Sequence, residues 1–280
     1  DWAAQPFFTV ILTFIFVPYM TSRMVGDPVH AQVQWGWIAV ISGVAVALLA
    51  PFLGAIADAA GRRKVWLVFL AAIQISALML LWYSAPGTPF LQVALLVVLV
   101  SFAAEFSIVF NDSMMKLLVA DEHVGRISNI AWGLGYAGGM IVLFIVTLLV
   151  SSDPQTGKTL LGLDPLFGLD AAAGEDARFA GPLSAVWYLV FLLPLFFFTP
   201  DIRTTTPLRT ALVSSVSELT ATLRETWQRK GILRFLVARM LYQDGVNGLL
   251  SFGGIYAVAT FGWTTLEIGL YGIILNIAAI

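Results

Sequence analysis

Eight apolar runs decide what this chain can fold into. They cover residues 2–20, 35–57, 65–83, 90–110, 130–150, 183–198, 232–261 and 268–280. A bilayer core of about 30 Å needs roughly 20 apolar residues at about 1.5 Å each, so seven runs count as complete spans and the eighth is expected to be truncated by the chain end. Spanning strands would be about 10 residues long and would alternate polar with apolar. These runs are longer and apolar all round, and only helices satisfy their own backbone groups in lipid without a partner. Composition points the same way, with 59% hydrophobic and 11% charged residues, against about 25% charged in a soluble domain. The expected fold class is an all-α polytopic membrane protein.

Several function classes drop out at once. The formal net charge of −2 gives no basic surface for a nucleic acid, and the absence of cysteine removes disulfides, thiolate metal sites and cysteine nucleophiles. His30 and His123 both fall in loops with no ligand partner at helical spacing, so no metal and no histidine-based catalysis is expected. No cofactor is implied.

Basic residues orient the spans. Arg62, Arg63 and Lys64 lie between the second and third runs, and Lys116 and Arg126 between the fourth and fifth. By the positive-inside rule these links are cytoplasmic, and so is the amino terminus. The stretch 151–181 then lies outside, reading as an irregular loop with five acids against two bases. The stretch 199–231 returns inside, and Leu212, Val216, Leu219, Leu223 and Trp227 recur there at the spacing of an amphipathic surface helix. Trp2, Trp35, Trp82 and Trp263 fall near span ends, where aromatic belts sit.

Two glycine patterns imitate nucleotide sites and are rejected. Gly133-x-Gly135-x-x-Gly138 matches the dinucleotide fingerprint, but a bilayer-length apolar run follows it and no strand precedes it. Gly135 and Gly139, four apart, instead suit a smooth helix-packing face. Gly157-Lys158-Thr159 resembles the end of a phosphate loop, but Ser152 replaces its first glycine and Pro154 interrupts it.

The sharpest local pattern is Gly54-x-x-x-Asp58-x-x-Gly61-Arg62-Arg63-Lys64. Gly54 permits close helix approach, Gly61 a tight turn, and Asp58 can meet a cation or a helix amino terminus. This resembles the signature loop of the major facilitator superfamily, although Ala59 stands where that family usually carries a base. Four further stretches narrow the resemblance to the family related to autophagy-linked vacuolar amino-acid effluxers. They are Asp1-Trp2-Ala3, Phe110-Asn111, Gly125-Arg126-Ile127-Ser128 with Trp132 to Gly139, and Tyr242-Gln243-Asp244-Gly245-Val246-Asn247. Gln243 departs from the family's usual asparagine, and Gln5-Pro6 from its small polar pair.

The resemblance implies a major-facilitator-type bundle, with a six-helix unit at 1–198, a cytoplasmic linker with an amphipathic helix at 199–231, and the start of a second unit at 232–280. It implies no enzyme but a monomeric secondary transporter of a small solute, amino acids leading. Coupling would be symport or antiport, and efflux is among the directions. The host would be a bacterial cell membrane, or a vacuolar-type membrane in a eukaryote. An intramembrane enzyme or a non-transporting scaffold are the alternatives.

Charges inside apolar runs are the candidate solute or coupling-ion contacts, since an ionisable group at a helix centre costs about 2.5 to 3.5 kcal/mol. Glu105 and Arg239 sit roughly 8 to 10 Å from the inner ends of their counted spans, placed either to pair across a cavity or to snorkel to the interface. Asp244 is roughly 18 Å deep, with Asn247 on its face and Tyr242 beside it. In a parallel repeat the first helix corresponds to the seventh, and Asp1 with Gln5 echoes Asp244 with Asn247.

Overall fold

The computed structural model describes residues 1–24, 27–59, 63–153, 156–200, 220–221 and 224–279. Its helices are α1 (Phe7–Arg23), α2 (Pro28–Ala59), α3 (Arg63–Tyr83), α4 (Phe90–Leu118), α5 (Asp121–Val150), α6 (Glu175–Phe198), α7 (Lys230–Phe261) and α8 (Thr265–Ala279). No strand occurs among the described residues beyond an isolated Ser152–Thr159 bridge. The stretches α2 through α6 are long and apolar enough to cross a bilayer, and α1 and α8 are shorter apolar helices. The protein is an all-α, multi-pass membrane bundle.

The helices run past the spans counted from hydropathy, because lipid thickness limits the apolar stretch and not the helix. Asp27 Oδ1 accepts the Val29 N–H at 3.0 Å, and Pro28 opens α2 with a φ already suited to a first turn. Asp121 and Glu122 occupy the first turn of α5, and Glu175 and Asp176 that of α6, where carboxylates complement the helix dipole. The expected irregular loop therefore ends at Gly174, in the left-handed region at φ 71°, and not at Gly181.

Helix α1 is the hub. Phe7, Val10, Ile11, Phe14, Ile15, Phe16, Val17 and Met20 are all buried, and the helix touches α2, α5, α6, α7 and α8. It is π-helical over Phe7–Phe14, with the Ile15 N–H reaching Val10 O at 2.9 Å, and the wide turn closes ahead of Pro18. Around it α3 packs on α4 and α6, while α2 packs on α4. Glycines let α7 and α8 approach this centre closely. Gly254 abuts the Thr13 carbonyl and Pro18, Gly272 abuts Phe14, and Gly269 abuts Thr147 in the π-helical end of α5.

Outward faces stay apolar, as a helix between core and lipid requires; on α6 Val186, Leu189 and Val190 are about half exposed. The tryptophans depart from a simple belt. Trp35 is buried in the core, Trp2 packs on Trp187 and Phe191, and Trp82 lies under the Arg178 guanidinium at 5.3 Å. Most of the expected amphipathic helix falls outside the described residues; 220–221 and 224–228 are helical, with Trp227 exposed.

Candidate functional site

The chain start is the most tightly placed part of the candidate set. Gly135, Gly138 and Gly139 form one buried face of α5, and residues 1–9 lie on it. A Cβ added at Gly135 would come 2.9 Å from Asp1 Cβ, one at Gly138 2.9 Å from the Trp2 carbonyl, and one at Gly139 2.6 Å from Thr9 Oγ1. Real Cβ atoms essentially never come that close, so a larger residue at any of the three requires the facing segment to shift. From the other side α6 fixes the same segment, its Trp187 Nε1 donating to the Trp2 carbonyl at 3.0 Å.

Helix α4 adds a polar stripe. Ser101, Glu105 and Asp112 share one side of it at helical spacing. Because α4 continues from Phe110 to Leu118, Glu105 stands at mid-helix, five residues before the end of the apolar run 90–110. Asp112 escaped the sequence reading for the same reason: counting the span to Phe110 put it in a loop. Its register seven residues after Glu105 was the available signal. Gln74 on α3 was also missed. It is fully enclosed, and its amide atoms have no partner among the described residues, an unusual expense inside a bundle.

The α7 candidates are arranged differently. Asp244 lies near the middle of its helix and is exposed, as are Arg239, Tyr242 and Asn247. Asn247 Oδ1 accepts from Gln243 Nε2 at 3.0 Å, one turn back, and no hydrogen bond among the described residues joins Asn247 to Asp244. No ion pair among the described residues joins Glu105 to Arg239. Gly245 and Gly248 leave open space where a Cβ would stand, so the approach they permit is not used by any described residue.

In the signature loop, Gly61, Arg62 and the side chain of Asp58 lie outside what is described. A Cβ at Gly54 would meet nothing within 4 Å, so the expected close approach there is not seen. Arg63 is buried at the start of α3. Lys64 Nζ donates to the Phe196 carbonyl at 2.8 Å, placing a cation on the last turn of α6, where orphan carbonyls and the dipole favour one. Among the described residues no group of three His, Asp or Glu is placed to hold a metal ion.

These placements give the family resemblance a physical basis, since the Asp-Trp-Ala opening and the glycine face of α5 fit each other. A family model described as "Vacuole effluxer Atg22 like" matches residues 37–280. The chain belongs to the Atg22-like vacuole effluxer family. A curated relative, the uncharacterised MFS-type transporter YxiO of Bacillus subtilis (strain 168), is 23% identical over 259 residues, covering 91% of this chain and 58% of the relative. The chain thus spans less than two thirds of that relative's length. No solved structure matches. For this Atg22-like chain, the helical bundle is of the major-facilitator type.

Proposed function

We propose that the protein is a monomeric secondary transporter that moves a small solute, amino acids being the leading class, across a bacterial cell membrane by alternating access. Proton or ion coupling runs through its mid-helix carboxylates. The observation that carries this reading is the pairing of family membership with Glu105 and Asp244, ionisable groups inside long apolar membrane helices, where they are expensive. The packing supports it too. α7 and α8 meet α1 and α5 through Gly254, Gly269 and Gly272, a smooth contact suited to two bundles that rock about a central site. In this reading 1–198 is one bundle, 199–231 the cytoplasmic linker and 232–280 the start of the second.

The test is solute flux by the full-length protein, with both bundles complete, in proteoliposomes, screened with amino acids under imposed proton and sodium gradients. Saturable, gradient-dependent uptake is expected, and flux indistinguishable from protein-free liposomes across the screen would sink the reading. Orientation is checked separately. The chain has no cysteine, so single cysteines at Ala59 and Thr205 should label from the cytoplasmic side, and at Pro86 and Gly168 from the opposite side. Labelling of all four from one side is the contrary result.

A further inference from the structure

The connection between α5 and α6 is folded, and it exposes far more apolar surface than a water-facing loop should. The Asp153 N–H donates to Lys158 O at 2.9 Å, Thr159 N–H to Leu163 O at 2.9 Å, and Gly162 N–H to Thr159 O at 2.8 Å. Its far end is pinned to the bundle by Arg23 Nη1 on Ala171 O at 2.7 Å and by Arg178 Nη2 on Ala173 O at 3.3 Å. Between these anchors Leu160, Leu161, Leu163 and Leu166 are 42 to 56% exposed and Phe167 is 77% exposed. Those values match the lipid-facing side chains of α6, where Val186, Leu189 and Val190 are 46 to 50% exposed. Five large apolar side chains exposed within eight residues mark an interaction surface.

We infer that residues 160–167 form an interfacial anchor that lies in the lipid headgroup and upper acyl region of the bilayer beside α6. Continuity with the membrane-facing surface identifies the occupant. The connection leaves one bilayer-length helix stretch at Val150 and enters the next at Glu175, so its backbone is tethered to a membrane helix on both sides. The Phe167 ring packs on Phe179 at 5.4 Å, and Phe179 belongs to the α6 membrane stretch. Phe167 adopts φ 62°, a left-handed conformation uncommon for a residue with a bulky side chain, and so keeps its ring against α6. The polar residues beside these side chains are partnered: Lys158 and Asp164 pair at 2.6 Å, and Asp170 Oδ1 accepts the Ala172 N–H at 2.8 Å. Exposed leucine and phenylalanine with the neighbouring charges paired is the chemistry of a segment lying in the interface plane. This inference rests on the membrane fold and stands whatever solute is carried.

Nitroxide labels on single cysteines at Leu161, Leu163 and Phe167, in the full chain in phosphatidylcholine–phosphatidylglycerol nanodiscs, test it. Collision with oxygen, which concentrates in lipid, is compared with collision with a water-soluble nickel chelate. Val190→Cys on α6 serves as the lipid reference and Glu122→Cys, exposed at the start of α5, as the aqueous one. The oxygen-to-nickel ratio at all three loop positions is expected to be several-fold above that of position 122 and to approach that of position 190. A ratio equal to that of position 122 would show the loop projecting into water. Low collision rates with both reagents would show a protein surface covering it. Either result overturns the anchor.

Discussion

Gly139→Leu should sharply reduce the yield of folded, monodisperse protein and lower the melting temperature of what remains. The first added carbon would already lie 2.6 Å from Thr9 Oγ1 and 3.0 Å from Gln5 Cγ. Thr9 is itself buried and cannot swing aside, and α5 is a continuous helix whose backbone offers no local relief. Overpacking a well-filled site costs about 1 to 3 kcal/mol, and more where neither element can yield. Because α1 touches five other helices, displacing it from α5 loosens the whole centre of the bundle. The control is Gly133→Leu on the same helix, where an added Cβ meets nothing within 4 Å. Size-exclusion profiles and thermal unfolding in detergent read out both, and a Gly139→Leu protein that melts with the wild type would show that the glycine face is not a packing surface.

The eight helices were legible because apolar run length is a direct physical requirement of the bilayer. Helix ends were not, for the same reason: the lipid sets the apolar length while caps and charges set the helix length. Some of that second signal was present and passed over. Asp27-Pro28 before α2 and Glu175-Asp176 before the apolar part of α6 are ordinary start signals. Pro182 inside α6 encouraged a boundary that a transmembrane helix does not need, since its neighbours re-satisfy the backbone. Extending α4 to Leu118 moved Glu105 to mid-helix and brought Asp112 onto its face, the largest change to the candidate set. The π-helical turns at Phe7–Phe14 and Val146–Val150 had no local signature, because they arise where helices pack and not from the residues alone. The same holds for Trp187 reaching the Trp2 carbonyl, a contact between residues far apart in sequence.

Asp244→Asn should abolish gradient-driven accumulation while leaving the protein folded. Asparagine keeps the size and most of the hydrogen-bonding capacity of the side chain and removes only its ionisation. A structural acid would be engaged by neighbours, and its loss would appear as a lower melting temperature. Asp244 is exposed, no hydrogen bond or ion pair among the described residues holds it, and Asn247 is occupied with Gln243. Its place near the middle of α7 nevertheless carries an insertion cost of about 2.5 to 3.5 kcal/mol, which chains avoid unless the charge is used. Gly245 and Gly248 beside it leave room for a solute or for backbone to come close. If the carboxylate carries the coupling proton, the variant loses concentrative uptake but retains exchange of solute across the membrane, because binding and rocking do not require the proton to be released. The measurement is transport by the full-chain variant in proteoliposomes, normalised to folded protein, with and without a proton gradient. Accumulation equal to the wild type would remove Asp244 from the mechanism, and a marked fall in melting temperature with unchanged transport per folded molecule would make it a structural residue instead.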